Sequence, residues 1–74
     1  MADQPIYAMK QNGNRNEHLA CCVLERNGIK STHDFKQFIR ENKDWVNLLV
    51  RFKGMGPIKM EAVKAMVKRM GLEN

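Results

Sequence analysis

The residues whose types and spacing could do chemistry lie in the run Arg51-Phe52-Lys53-Gly54-Met55-Gly56-Pro57-Ile58-Lys59. Two glycines around one apolar residue allow a tight turn and leave backbone amides uncovered by side chains. Proline after the second glycine suits the first turn of a helix. The first amides of that helix have no intrahelical acceptor and carry partial positive charge. Such an amide cluster takes an anion, and phosphate is the anion expected. Lys53 and Lys59 flank the turn, and Arg51 precedes it. Lys64, Lys68 and Arg69 continue the positive charge beyond it. The candidate binding residues are therefore Arg51, Lys53, Gly54, Gly56, Ile58, Lys59, Lys64, Lys68 and Arg69, with Met55 expected to point inward and anchor the turn. The plain alternatives are a structural corner or a protein contact for the turn, and a solvated helix face for the lysines.

Other chemistry finds little support. His18 stands four residues before Cys22 and three before Cys21. That spacing could present a ligand pair, but structural zinc takes four ligands, usually in two spaced pairs. Only His33 could add another donor, so no metal or other cofactor is expected. Nothing in the pattern builds the electropositive site that an activated cysteine requires. Cys22 is expected in the core and Cys21 partly exposed. Glu17, Glu25, Asp34, Glu41, Asp44 and Glu61 are dispersed, Asp34 and Asp44 look like helix caps, and no pair reads as acid and base. The reading is non-enzymatic.

These residues must be positioned by helices. Leu19, Cys22, Val23 and Ala20 give a first helix an apolar face over about Arg15 to Asn27. Asn14 or Asn16 can cap its start, and Asn27-Gly28 closes it, with Ile29 folding back. Ser31 with Asp34 is a capping-box-like start for a second helix, whose buried face is Phe35, Phe38 and Ile39. Trp45, Leu48, Leu49 and Phe52 recur at i, i+3, i+4, i+7 in a third helix from near Asp44. A fourth starts at Pro57 or Ile58, buries Met60, Val63, Val67 and Met70, and stops at Gly71. Met66 is expected to be partly exposed. No segment alternates as a strand does, so the fold class is all-α, with four helices on short loops.

The chain has 74 residues, 43% of them apolar, and a net charge of +5. That size admits one small domain and excludes a two-lobed enzyme. No window approaches the roughly 20 apolar residues of a membrane span. The start of the chain lacks the apolar core of a secretory signal, and adjacent cysteines cannot staple distant segments. A cytoplasmic, reducing setting is expected. Residues 1–14, with Pro5 and the polar run Gln11-Asn12-Gly13-Asn14, read as a flexible N-terminal tail that Ile6, Tyr7 and Met9 could pin to the core. Residues 15–74 read as the helical domain. The charge excess is local: residues 51–70 hold six Lys or Arg and one Glu, which suggests a polyanionic partner. Trp45, Phe35, Phe38 and Phe52 fall on apolar faces. Only Tyr7 remains for base stacking, which disfavours a single-strand binder.

Phe52, Gly54, Met55, Gly56, Pro57 and Val63 stand in the pattern of the helix-hairpin-helix family, which this segment resembles over about residues 45–70. The resemblance implies DNA binding without sequence preference, through hairpin amides on the phosphate backbone. Over about residues 16–72, the order helix, Asn-Gly-Ile, Ser-Thr-x-Asp-Phe, helix, Gly-x-Gly, helix, Gly-Leu is similar to the C-terminal domain of the bacterial RNA polymerase α subunit. It implies a compact four-helix, SAM-like domain that docks on AT-rich DNA. With Ile29 set on that family's isoleucine, its minor-groove arginine falls at Leu19, with only Arg15 and His18 nearby. Pro57 and Ile58 stand where that family carries a Lys-Lys-Ser-like run. The expected function is non-catalytic double-stranded DNA binding by a transcription regulator or accessory factor, of a size that phages and plasmids carry. The alternative is a protein-interaction module that mimics or inhibits RNA polymerase or another host protein, using exposed apolar residues such as Met66.

Overall fold

Local signals set each helix end. In a computed structural model, which describes residues 4–72, the chain forms a 3-10 helix, Ile6–Met9, and then α1 (Arg15–Arg26), α2 (Thr32–Glu41), α3 (Trp45–Val50) and α4 (Pro57–Arg69). The side chain of Asn14 accepts the Glu17 amide at 3.0 Å, and Ser31 Oγ accepts the Asp34 amide at 3.1 Å. These two bonds satisfy amides that α1 and α2 would otherwise leave open. Gly28 takes φ +100°, and the Gly28 and Ile29 amides donate to the carbonyls of Glu25 (3.2 Å) and Leu24 (2.9 Å). This paired closure returns Ile29 to the core at 6% exposure. The amides of Gly71 and Leu72 close α4 in the same way, on Lys68 and Val67. No strand occurs among the described residues; there is a single antiparallel bridge, Pro5 to Ser31.

α1 and α4 form the main packed pair, and α3 lies against α4. Phe35, Leu24, Leu49, Met66, Val63 and Val67 are fully buried between the helices. Phe38 and Phe52 pack at the edge with ring centroids 6.1 Å apart. α3 ends at Val50, earlier than the apolar spacing suggested. Phe52 therefore packs from the following turn rather than from the helix.

Three expectations need correction. The first concerns the tail. Ile6 and Met9 pin the segment to the domain at 0% and 5% exposure, while Gln11, Asn12 and Gly13 are exposed. The Ile6 amide donates to the Lys30 carbonyl (3.0 Å), and the Thr32 amide to that of Gln4 (2.8 Å). Met1 to Asp3 lie outside the described residues, as do Glu73 and Asn74. The second concerns α1. Its buried stripe is Glu17, Ala20, Cys21 and Leu24, with Val23 beside it. Cys21 is fully buried, Cys22 is half-buried, and Leu19 is 36% exposed. The stripe is rotated because Glu17 is buried with a partner, which lets a charged position belong to the core face. The third concerns Met66, which is 0% exposed and cannot serve as a surface contact.

Candidate functional site

The turn between α3 and α4 is built by two glycines with different jobs. Gly54 has φ +90°, a region that L side chains rarely adopt. The Met55 amide donates to the Phe52 carbonyl at 3.0 Å, which tightens the turn. Met55 is half-buried and packs against the core. Gly56, at φ −99° and ψ 175°, is in extended backbone that any residue adopts. A Cβ added there would meet nothing within 4 Å. Neither the conformation nor the packing of this protein therefore requires glycine at position 56. What glycine does there is leave the backbone uncovered.

Gly56 is also the N-cap of α4, and no side chain caps this helix. The first intrahelical bond runs from the Met60 amide to the Gly56 carbonyl, at 2.9 Å. Pro57 has no N–H, so the open first-turn donors of α4 are the amides of Ile58 and Lys59. They sit at the positive end of a 13-residue helix with no acidic residue in its first turn. Ile58 is 66% exposed. Lys59 Nζ reaches back over the turn to donate to the Gly54 carbonyl at 3.0 Å. That bond holds its ammonium beside the amides, with donors to spare. Arg51 and Lys53, which precede Gly54 in the chain, are exposed.

The remaining expected cations are placed differently. Lys64 and Lys68 are exposed, but at 1.5 Å per residue they lie roughly 12 and 18 Å along α4 from Gly56. Lys64 also faces Glu61 at 3.8 Å, an exposed pair of small energetic weight. Arg69 is a correction. Its guanidinium grips Glu17 at 2.6 and 3.1 Å and donates to the Met9 carbonyl at 2.7 Å. It is engaged at the far end of α4 and does not belong to the site. The hydrogen bond from Arg69 holds the Glu17 carboxyl below its usual range, against the opposing effect of burial. The sequence does carry one signal of it: Glu17 stands at i, i+3, i+4, i+7 with Ala20, Cys21 and Leu24 and so shares their face, although its partner is 52 positions away.

No family model, curated protein or solved structure matches this chain. The site must be read from its own geometry. Burial pushes the Cys21 thiol up to about 11, so it is protonated at neutral pH, and it points at the Ile6 carbonyl at 3.6 Å. Tyr7 is engaged rather than open for stacking. Its hydroxyl lies 3.4 Å from Cys22 Sγ and 3.3 Å from Glu25 Oε1, and its ring lies against His18. The hydrogen bond to Cys22, followed by burial, raises the phenol well above its ordinary value. Among the described residues, no three His, Cys, Asp or Glu side chains gather to hold a metal ion, and no helix is long and apolar enough to cross a membrane.

Proposed function

We propose that this protein binds double-stranded DNA through a helix-hairpin-helix made of α3, the 51–56 turn and α4, without catalysis. The observation that carries the reading is Gly56. It is a glycine with no conformational or packing need, placed at the uncapped start of α4 between Lys53 and Lys59. A phosphate oxygen can approach that bare backbone and accept from the Ile58 and Lys59 amides, the arrangement a helix N-terminus favours. Lys53, Lys59 and Arg51 then add charge on either side of it in the chain. This mode reads the sugar-phosphate track rather than base edges, so little sequence preference is expected. With Tyr7 engaged in the fold, single-strand binding by base stacking has no platform. A regulatory or accessory role in transcription is the setting we infer for such a module.

The test is a titration of labelled AT-rich and GC-rich duplexes across a salt series. A linear fall of log affinity with log salt, with similar slopes for both duplexes, is the expected result. Lys59→Glu should weaken both duplexes by at least about tenfold, because it reverses a charge beside the phosphate. Absence of binding at low salt, or binding indifferent to Lys59→Glu, would refute the reading. A marked advantage for the AT-rich duplex would instead call for minor-groove contacts.

A further inference from the structure

Between α3 and α4 lies a trough that starts at the Met55-Gly56-Pro57 end of the turn and runs along α4. It consists of two adjoining depressions that share Glu61 and Lys64. The first, of about 370 Å³, is lined by Val50, Met55, Gly56, Pro57 and Met60. The second, of about 550 Å³, is lined by Trp45, Val46, Ala65 and Lys68. Its origin is a mismatch of length. α3 has 6 residues and α4 has 13, or roughly 9 Å against 20 Å at the helical rise. The shorter helix cannot cover the longer one. Val50, at the end of α3, is left 47% exposed.

The character of the trough selects its occupant. The accessible apolar surface is aliphatic, with Val50, Pro57 and Ala65 exposed and Val46 and Met55 half-buried over Met60 and Trp45 beneath, which suits a side-chain stripe. The rim is net positive: Lys64 and Lys68 stand one turn apart on α4, against Glu61, which lies 3.8 Å from Lys64. From Pro57 to Lys68 the trough runs roughly 16 Å, the length of a helix of about 11 residues. The geometry points to a second binding surface, on which the α3–α4 trough takes an acidic amphipathic helix of a partner protein. Its apolar face seats on Val50, Val46 and Ala65, and its carboxylates meet Lys64 and Lys68. This is helix-in-groove recognition, with charge setting the choice of partner.

Trp45 is the only tryptophan and lines the second depression, so its emission reports occupancy. The probe is a capped synthetic helix of about 12 residues with leucines at i, i+3, i+4, i+7 and glutamates elsewhere. A second peptide carries lysine in place of every glutamate. The glutamate peptide should shift the emission saturably and the lysine peptide should not. Lys64→Glu with Lys68→Glu should weaken the glutamate peptide by at least about tenfold. Val50→Asn, at an exposed position, should weaken it about fivefold through lost apolar contact. Circular dichroism confirms that each variant keeps its helices. The proposal is overturned by no saturable shift, by an equal response to both peptides, or by Val50→Asn leaving peptide affinity intact. In the last case plain charge attraction suffices. The duplex titrations stand or fall separately.

Discussion

At the scale of single residues, the two turn glycines make opposite predictions. Gly54 sits at φ +90° with Val23 Cγ2 at 3.5 Å from where a Cβ would lie. Space is adequate there but the backbone is not, so Gly54→Ala should cost about 1 kcal/mol of stability. Gly56 is unstrained and faces open space. Gly56→Ala should change the melting temperature little, because the narrower unfolded ensemble is offset by alanine's poorer fit at an N-cap. It should nevertheless weaken duplex binding, by about fivefold if the new methyl displaces a phosphate from its charge-assisted amide contacts. Thermal unfolding and duplex titration of the two variants separate these roles. A Gly56→Ala protein that binds duplex like the parent would mean that no phosphate approaches position 56.

At the scale of elements, the fold depends on a junction that no single helix contains. Glu17 from α1, Arg69 from the end of α4, and the Gln11 amide and Met9 carbonyl of the N-terminal segment meet at one point. Glu17 is 2% exposed while Arg69 remains 40% exposed. Removing Arg69 strands a buried carboxylate on the Gln11 amide and the Asn14 side chain. Arg69→Ala should therefore destabilise by about 3 kcal/mol, the lower end for breaking a buried pair. It should also raise exchange at the Ile6 amide, since the segment loses its Arg69 anchor. Arg69→Lys should restore only part of this, because lysine cannot reproduce the two-pronged contact. Urea unfolding with exchange at Ile6 decides, and an Arg69→Ala protein as stable as the parent would show that the junction carries no stability. The same elements show what was legible beforehand. The starts of α1 and α2 and the Gly28 closure were readable because caps are encoded within a few residues. The face of α1 was misread because Glu17 is neutralised by a residue 52 positions away, which no local window contains. The docking of Ile6 and Met9 likewise rests on contacts distant in sequence, such as that of Ile6 with Lys30. At the site, the turn and its flanking lysines were legible as local chemistry. Charge counting groups Arg69 with them because it does not show which cations already have partners.

At the scale of the whole molecule, the net charge of +5 and the Glu17 junction act on stability through pH in the same direction, and a single substitution separates them. As pH falls, carboxylates protonate, the molecule becomes more positive, and self-repulsion disfavours the compact state. Any basic domain shows this. Glu17 adds a specific contribution. Its folded-state pKa is held down, first by the Arg69 hydrogen bond, below the ordinary carboxylate value. A depressed folded pKa means that the unfolded chain binds the proton more readily, so acid favours unfolding. The contribution of Glu17 is then fully present above its unfolded pKa of about 4.3. It is lost as pH falls from there through the lower folded value. Glu17→Gln removes this titration and changes the general charge by one unit only. The stability difference between parent and Glu17→Gln should be constant from neutral pH down to about pH 5, and should shrink below about pH 4 as the parent protonates. The general charge effect, common to both proteins, largely cancels in that difference. Urea unfolding of the pair at closely spaced pH values measures it directly. A difference that stays constant through the acid range would mean that Glu17 gains nothing from Arg69 in the folded state, and that acid sensitivity comes from net charge alone.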